Sequence, residues 1–388
     1  MKIAILHSAV PPGAPADEQD VFVQVETVRT ALTAQGHTVL ARDFPLDLDA
    51  MLAWLRRECP EAVFNLVETV AGSGRLIHLA PALYDLAGIP YTGASTEAMF
   101  LTSNKLLSKQ LLRSLGLPTP AWYTAADVAA NGPVPPGRYI VKSVWEHASV
   151  GLDDTAVLAA ADRATLRAAL AARRDRQGGE CFAEAYIDGR EFNLALLADG
   201  AGPEPTPLPP AEILFEGYAA GKPRIVGYEA KWQAGSFEFS HTPRRFDFPP
   251  ADSDILAQLG RLAWQCWKAF GLKGYARVDF RVDAAYNSHV LEINANPCLS
   301  PDAGFTAALG QAKIPIAEAV RRILLAAVSA RQAPGPSEFG GQHGHVGKPV
   351  VGPPAGGAGD GPRGSASNPR VVELLLPLRS AGGGRTGG

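Results

Sequence analysis

Four side chains late in the chain have the types and spacing of a site for a hard cation. They are Arg277, Asp279, Glu292 and Asn294, in the stretch "YARVDFRVDAAYNSHVLEINANPCLSPDAGF", residues 275–305. Two apolar-alternating runs flank a polar turn from Asp283 to Ser288, which reads as a hairpin. Side chains alternate across a strand, so Val278, Phe280 and Val282 share one face and Arg277 and Asp279 the other. A symmetric turn pairs Val278 with Ile293, Phe280 with Leu291, Asp279 with Glu292 and Arg277 with Asn294. Leu291 and Ile293 then face the core. The polar pairs set two carboxylates directly opposite each other, which is destabilising, so a positive charge is expected between them. Two carboxylates and an amide oxygen suit Mg²⁺, which takes one or two carboxylates plus waters and substrate phosphates. Nothing soft lies on this face, so zinc and copper fit poorly. Arg277 is a planar donor suited to a phosphate or a developing oxyanion. The competing reading is a solvated hairpin face. The loop "NANPCLSPDAGF", with two prolines directly after the strand, weighs against it.

Weaker phosphate signals lie upstream. No GxxxxGK[ST] is present, which excludes a P-loop enzyme. "AGSGR", residues 71–75, precedes a helical pattern and reads either as an anion-binding turn or as an ordinary one. Lys142 ends a strand just before a loop with Ser149 and Gly151, a place from which a lysine reaches a nucleotide phosphate. Glu184 closes another strand and Glu191 follows seven residues later. Strand-end backbone pairs with an adenine edge, and a carboxylate accepts from ribose hydroxyls.

The elements that position these residues form an α/β pattern. "KIAILH" and "AVFNLV" are short buried strands separated by a helix with Val21, Val25, Val28 and Leu32 at helical spacing and Gly36 as its stop. Residues 1–95 therefore read as a parallel α/β unit. Residues 96–188 carry the helix "NKLLSKQLLRSLG", strands "RYIVK", "TAVLA" and "CFAEAYI", and an Ala/Arg-rich helix. From 189 to 330 strands dominate ("EFNLALL", "AEILF", "RIVGYEAK" and the hairpin), interrupted by a helix over 251–270. Residues 331–388 hold 16 Gly and 8 Pro in 58 positions, a composition expected of a disordered tail.

Composition bounds the function. A chain of 388 residues calls for two or three cores. A formal charge of −3 gives no sign of a nucleic-acid partner or an acidic membrane surface. No apolar run reaches the ~18 residues of a membrane span, and "MKIAILH" reads as a first strand. Four cysteines without CxxC spacing point to a reducing cytoplasm.

These pieces occur in the order "GIPYTG", "NKLLSKQLLRSLGLPTP", "YIVKSVWEHASVG", "GREF", "YEAKW", "ARVDFRVD" and "VLEINANP". Over about residues 1–330 the chain resembles the ATP-grasp ligases, within them the D-alanine–D-alanine ligase group. The resemblance implies three domains that clamp ATP between the second and third. It also implies an activity in which a carboxylate is phosphorylated to an acylphosphate and an amine then attacks it. Lys105 and Lys142 are then expected to contact phosphates, and Glu146 and Ser149 to lie in the loop over the nucleotide. Glu184, Tyr186 and Ile187 flank adenine, Glu191 holds ribose and Lys231 reaches the γ-phosphate. Arg277 stabilises the tetrahedral oxyanion. Asp279, Glu292 and Asn294 bind two Mg²⁺ (Mn²⁺ as an alternative), with Glu292 bridging. The glutamate that orients the first D-alanine in the family falls near Asp17, with Glu18 and Asp20 as neighbours.

The departures concern the amino-acid pockets. The family's "HGxxGE" turn is "AGSGRL" here, Cys298 stands in place of a glycine, and a serine that meets the second D-alanine's carboxylate falls at Ala303. The expected enzyme is a cytoplasmic, ADP-forming C–N ligase for small amino-acid or amine substrates, with homodimerisation left open. Alternatives are a ligase for other amino acids or peptides, a small-molecule kinase on the same scaffold, and an ATP-binding module without catalysis.

Overall fold

A computed structural model describes residues 1–329, apart from 131, 132, 147, 150, 175–178, 201 and 203. The Gly/Pro-rich tail lies outside the described residues. The first segment holds β1 (Lys2–Ser8), α1 (Ala16–Ala34), β2 (Thr38–Phe44), α2 (Leu48–Glu58), β3 (Ala62–Leu66) and α3 (Leu79–Ala87). The three strands form a parallel sheet in the order β2-β1-β3. Residues 3–6 of β1 and all of β3 are buried, as in a sheet covered on both faces. α1 lays Val21, Val25, Val28 and Leu32 against that sheet.

The chain continues with α4 (Thr96–Ser103) and α5 (Lys105–Ser114). Asn104 separates these helices and caps the second, accepting from the Leu106 and Leu107 amides at 3.0 Å each. A four-stranded antiparallel sheet follows, built from β4 (Trp122–Thr124), β5 (Gly137–Ser143), β6 (Val157–Ala160) and β7 (Cys181–Ala185) in the order β4-β7-β5-β6. α6 (Ala125–Ala129) and α7 (Arg163–Arg173) cover it, with Leu166 and Leu170 packing on Tyr139, Val141 and Ala183.

The remaining strands are β8 (Gly189–Ala198), β9 (Pro205–Pro207), β10 (Ala211–Ile213), β11 (Arg244–Arg245), β12 (Tyr275–Asp283) and β13 (Ser288–Asn294). They form one antiparallel sheet in the order β11-β10-β8-β12-β13, with β9 pairing β8. α8 (Tyr228–Trp232) and α9 (Phe237–Ser240) lie between β10 and β11. α10 (Ser253–Ala269) packs Ile255, Leu259, Ala263 and Cys266 against Phe192, Val278 and Phe280. α11 (Gly304–Gln311) and α12 (Ile316–Ser329) bury Phe305 and Val320 in the same core as β1, β3 and α1, joining the first and third sheets.

Two sequence expectations change. The segment "RIVGYEAK" is no strand: residues 224–227 are irregular and α8 begins at Tyr228. Gly227 sits so close to the Leu152 carbonyl that a Cβ would fall 2.6 Å from its oxygen, and the chain turns into a helix there. In the hairpin, Asp279 opposes Glu292, Val278 opposes Ile293 and Arg277 opposes Asn294, as the symmetric turn requires. Phe280, however, meets Val290 and not Leu291. A β-bulge at Leu291 re-aims one side chain and raises the local twist. Leu291 is thereby turned out of the core into the central cavity.

Gly93, the last residue of "GIPYTG", shows how the first segment meets the loop after β13. Its φ is +84°, and a Cβ there would fall 2.2 Å from Asn296 Oδ1, the atom that accepts from the Ala94 amide at 3.0 Å. Gly93→Ala is expected to cost about 2–4 kcal/mol, combining left-handed strain with overpacking. Denaturant unfolding checks this; a change below about 0.5 kcal/mol would contradict the contact.

Candidate functional site

One cavity of about 610 Å³ collects most of the residues singled out in the sequence. Lys105, Lys142, Glu146, Ser149, Glu184, Tyr186, Ile187, Glu191, Lys231, Arg277, Asp279, Glu292 and Asn294 all line it. They arrive from α5, β5, β7, β8, α8, the hairpin and the loops between. Asp17 stands outside the lining but accepts at 2.7 Å from the hydroxyl of Tyr228, on α8. Its neighbour Asp20 lines the cavity directly.

The carboxylate pair behaves asymmetrically. Asp279 is saturated: Arg277 holds it in a bidentate fork at 2.7 and 2.8 Å, Asn193 donates at 2.8 Å and Asn294 at 3.1 Å. Glu292 accepts no hydrogen bond from a described residue. Burial alone would raise its carboxyl, but Lys105, Lys231, Lys142 and Arg277 outweigh that and hold it at about 2. The positive charge expected between the carboxylates is thus supplied in part by the protein. Lys105 and Lys231 are both pushed down by burial, with Glu292 the leading opposing influence. The Asn294 amide nitrogen faces Asp279, which leaves its carbonyl oxygen for another partner.

Three features beside this centre were not read from the sequence. Lys109 joins Lys142 on the buried Glu184; Lys142 lies at 2.5 Å and Lys109 also donates to Thr119 at 2.7 Å. The signal was present, because Lys105 and Lys109 are four apart in "NKLLSK" and share a helix face. Tyr228 lies one helical turn from both Lys231 and Trp232 on α8. Trp232 donates to the Ala148 carbonyl at 3.0 Å, Ser149 Oγ to the Val226 carbonyl at 3.0 Å, and the Tyr228 amide to the Leu152 carbonyl at 2.9 Å. The loop after β5 is therefore fastened down onto α8. Ala148 and Ser149 both take positive φ there, 56° and 61°. Finally, Leu291 joins Ile187 and the packed group of Ile140, Leu152 and Ile225 among the apolar residues of the cavity lining.

Glu191, expected at a ribose, is buried and paired with Arg281 at 2.7 Å. At the far end of the cavity Asp20 accepts from Ser300 Oγ at 2.8 Å and from the Cys298 thiol at 3.0 Å. Gln24 donates at 2.8 Å to Glu68, also in the lining. Acidic groups thus gather at the α1 end and cations along the hairpin. The "AGSGR" turn places Ala71 and Gly72 at positive φ and leads into a 3₁₀ turn at Gly74–Leu76; of its residues none lines the cavity.

Comparison with known proteins identifies the class. The model of the D-ala D-ala ligase C-terminus matches residues 135–324. A D-alanine–D-alanine ligase of Acidiphilium cryptum is 31% identical over 296 residues, covering 76% of this chain and 89% of that protein. One of Gluconobacter oxydans is 30% identical over 305 residues, covering 78% and 90%. The crystal structure of the Bacillus anthracis D-alanine–D-alanine ligase complexed with ATP superposes with a TM-score of 0.62 at 18% identity, over 86% of this chain and 99% of that one. The fold is ATP-grasp. The chain belongs to the D-alanine–D-alanine ligase family, ADP-forming enzymes that use ATP to make a carbon–nitrogen bond.

Burial pushes the Glu68 carboxyl up to about 7, against the Gln24 hydrogen bond and with Asp20 and Asp17 adding to the rise. A carboxyl raised in the folded state costs no stability below its ordinary pKa of 4.5 and its full penalty above about 7. Glu68→Gln is therefore expected to be more stable than wild type at pH 8, by at most about 3 kcal/mol, with the difference vanishing near pH 4.5. Urea titrations at the two pH values check this; equal differences at both would contradict it.

Proposed function

We propose that this enzyme joins a carboxylate to an amine through an acylphosphate, at the centre defined by Glu292. The observation that carries this reading is the gathering of Lys105, Lys142, Lys231 and Arg277 around a buried carboxylate pair. The segments 1–95, 96–188 and 189–330 act as three lobes around the cavity. Adenine occupies the apolar slot of Ile140, Ile187, Ile225 and Leu291, with Tyr186 at its edge. Glu184, neutralised by two lysines, offers its backbone there, and Glu191 meets the ribose. Lys105, Lys142 and Lys231 hold the phosphates, and Arg277 meets the oxyanion as the amine attacks.

The donor set fits Mg²⁺. Glu292 carries free lone pairs, Asn294 presents an amide oxygen, and Asp279 becomes available as its asparagine or arginine partners yield. Among the described residues no three His, Cys, Asp or Glu side chains cluster as a metal site, which disfavours softer or all-protein coordination. Bound there, Mg²⁺ supplies charge neutralisation to the phosphates. Ser149, Glu146 and the loop pinned by Trp232 cover the cavity and keep water from the acylphosphate. Asp17 and Asp20 face the ammonium of the first substrate.

The second substrate departs from the relatives' D-alanine. Ala303 offers a methyl where the family resemblance places a serine hydroxyl, and Cys298 is occupied with Asp20. Losing one hydrogen bond to a charged group costs about 1.5–3 kcal/mol. Among the described residues no helix is long and apolar enough to cross a membrane, and the family model supports small-molecule substrates.

Two measurements test this reading. Glu292→Gln should lower turnover at saturating Mg²⁺ at least about a hundredfold; a value within a few-fold of wild type would contradict the assignment. ADP release over pairs of D- and L-amino acids, with mass spectrometry of products, should be slow for D-alanine alone and at least about tenfold faster for another acceptor. D-alanine dimerisation matching or exceeding every other pair would contradict the pocket argument.

A further inference from the structure

β11 carries two consecutive arginines, and strand alternation sends them to opposite faces. Arg245 turns to Glu212, which it pairs with, and lies over the Phe248 ring at 5.5 Å. Arg244 turns into the catalytic cavity. There it donates from Nη1 to the Asp302 carbonyl at 3.0 Å, and no described carboxylate lies within ion-pair distance of it. Arg244 is exposed and feels the Asp302 charge, but no ion pair among the described residues fixes its guanidinium, which brings a positive charge to the cavity wall.

The Asp302 carbonyl aims Arg244 at the start of α11. A Cβ on Gly304 would lie 3.7 Å from Arg244 Nε and 3.5 Å from Arg277 Nη1. The two guanidinium nitrogens are thus no farther apart than those distances combined, with Gly304 and the Asn193 amide oxygen, 3.9 Å from the same Cβ position, beside them. Arg277 is neutralised by Asp279, but Arg244 is not. Two like charges directed at one small, open spot call for an anion between them, by the same reasoning that places a cation between two carboxylates. A planar guanidinium with free N–H groups matches an oxyanion in bidentate fashion.

We propose that Arg244 is a specificity-determining residue that holds an oxyanion, most simply a carboxylate, on the amine acceptor at Gly304. This rests on the ligase reading and narrows the acceptor from any amine to an amine that bears an anionic group. The other source of an oxyanion is ATP itself. Lys105, Lys142 and Lys231 already face the phosphates, and Arg244 stands beyond Arg277 on the side of α11, so the acceptor is the better match.

The test measures amine-dependent ADP release by wild type, Arg244→Ala and Arg244→Lys, using amino-acid acceptors and their carboxamides at saturating donor. Arg244→Ala should raise KM for carboxylate acceptors about ten- to a hundredfold. It should leave the KM for carboxamides and for ATP within about threefold, and Arg244→Lys should recover part of the loss. Should Arg244→Ala fail to fold, Arg244→Gln, which keeps a donor for the Asp302 carbonyl without the charge, carries the same comparison. Equal losses for both acceptor forms, or a loss confined to ATP, overturn the subsite and leave the ligase reading standing. A wild-type enzyme that releases no ADP in response to any amine overturns both.

Discussion

Pairing Asp279 with Glu292 across β12 and β13 forces two carboxylates together at the bottom of a cavity, and much of the surrounding structure answers that repulsion. Each carboxylate is met differently. Asp279 is held within its own sheet, by Arg277 two residues before it and by Asn193 and Asn294 on the flanking strands. Glu292 is met from a distance by lysines of α5, β5 and α8. Burying so many charges is expensive unless each is matched, and removing one partner leaves the rest uncompensated. The site is therefore a set of mutually dependent groups drawn from separate elements, and it exists only when the second and third sheets are brought together.

That dependence explains features distant from the chemistry. Gly93 must be small because Asn296, just past the metal-suited strand, presses against it. Lys109 and Lys142 together keep the buried Glu184 ionised, and Thr119 holds Lys109 in place. α8 is a five-residue helix, yet Tyr228 touches Asp17, Trp232 touches the loop after β5, and Lys231 reaches the cavity. One turn of helix thus connects the first segment, the covering loop and the phosphate-facing cations.

Much of this was legible in the sequence because the hairpin obeys a period of two. Alternation alone set Asp279 opposite Glu292 and pointed to a cation. It failed at Leu291, since a bulge inserts one residue without any local signal in "HVLEIN", and that residue becomes part of the cavity wall. "RIVGYEAK" looked extended because Ile225 and Val226 are β-branched, but close approach of Gly227 to the Leu152 carbonyl turned the chain. Lys105 and Lys231 came from the family resemblance alone, whereas Lys142 and Glu191 also carried weak signals from their places beside strand ends. Arg244 carried no signal in "TPRRF"; only the strand register separates the arginine held by Glu212 from the one that lines the cavity.

The chemistry follows from where the cations point. In the proposed reaction, anionic phosphates lie toward the lysines, the developing oxyanion toward Arg277, and the ammonium of the first substrate toward the acids of α1. The claim that unites these assignments is that a carboxylate oxygen of the first substrate is transferred to phosphorus before the amine attacks. An amino-acid donor carrying ¹⁸O in both carboxyl oxygens measures this directly when the released phosphate is analysed by mass spectrometry. The account predicts one ¹⁸O in each phosphate released with ADP. Amine-dependent ADP release that yields unlabelled phosphate would contradict it.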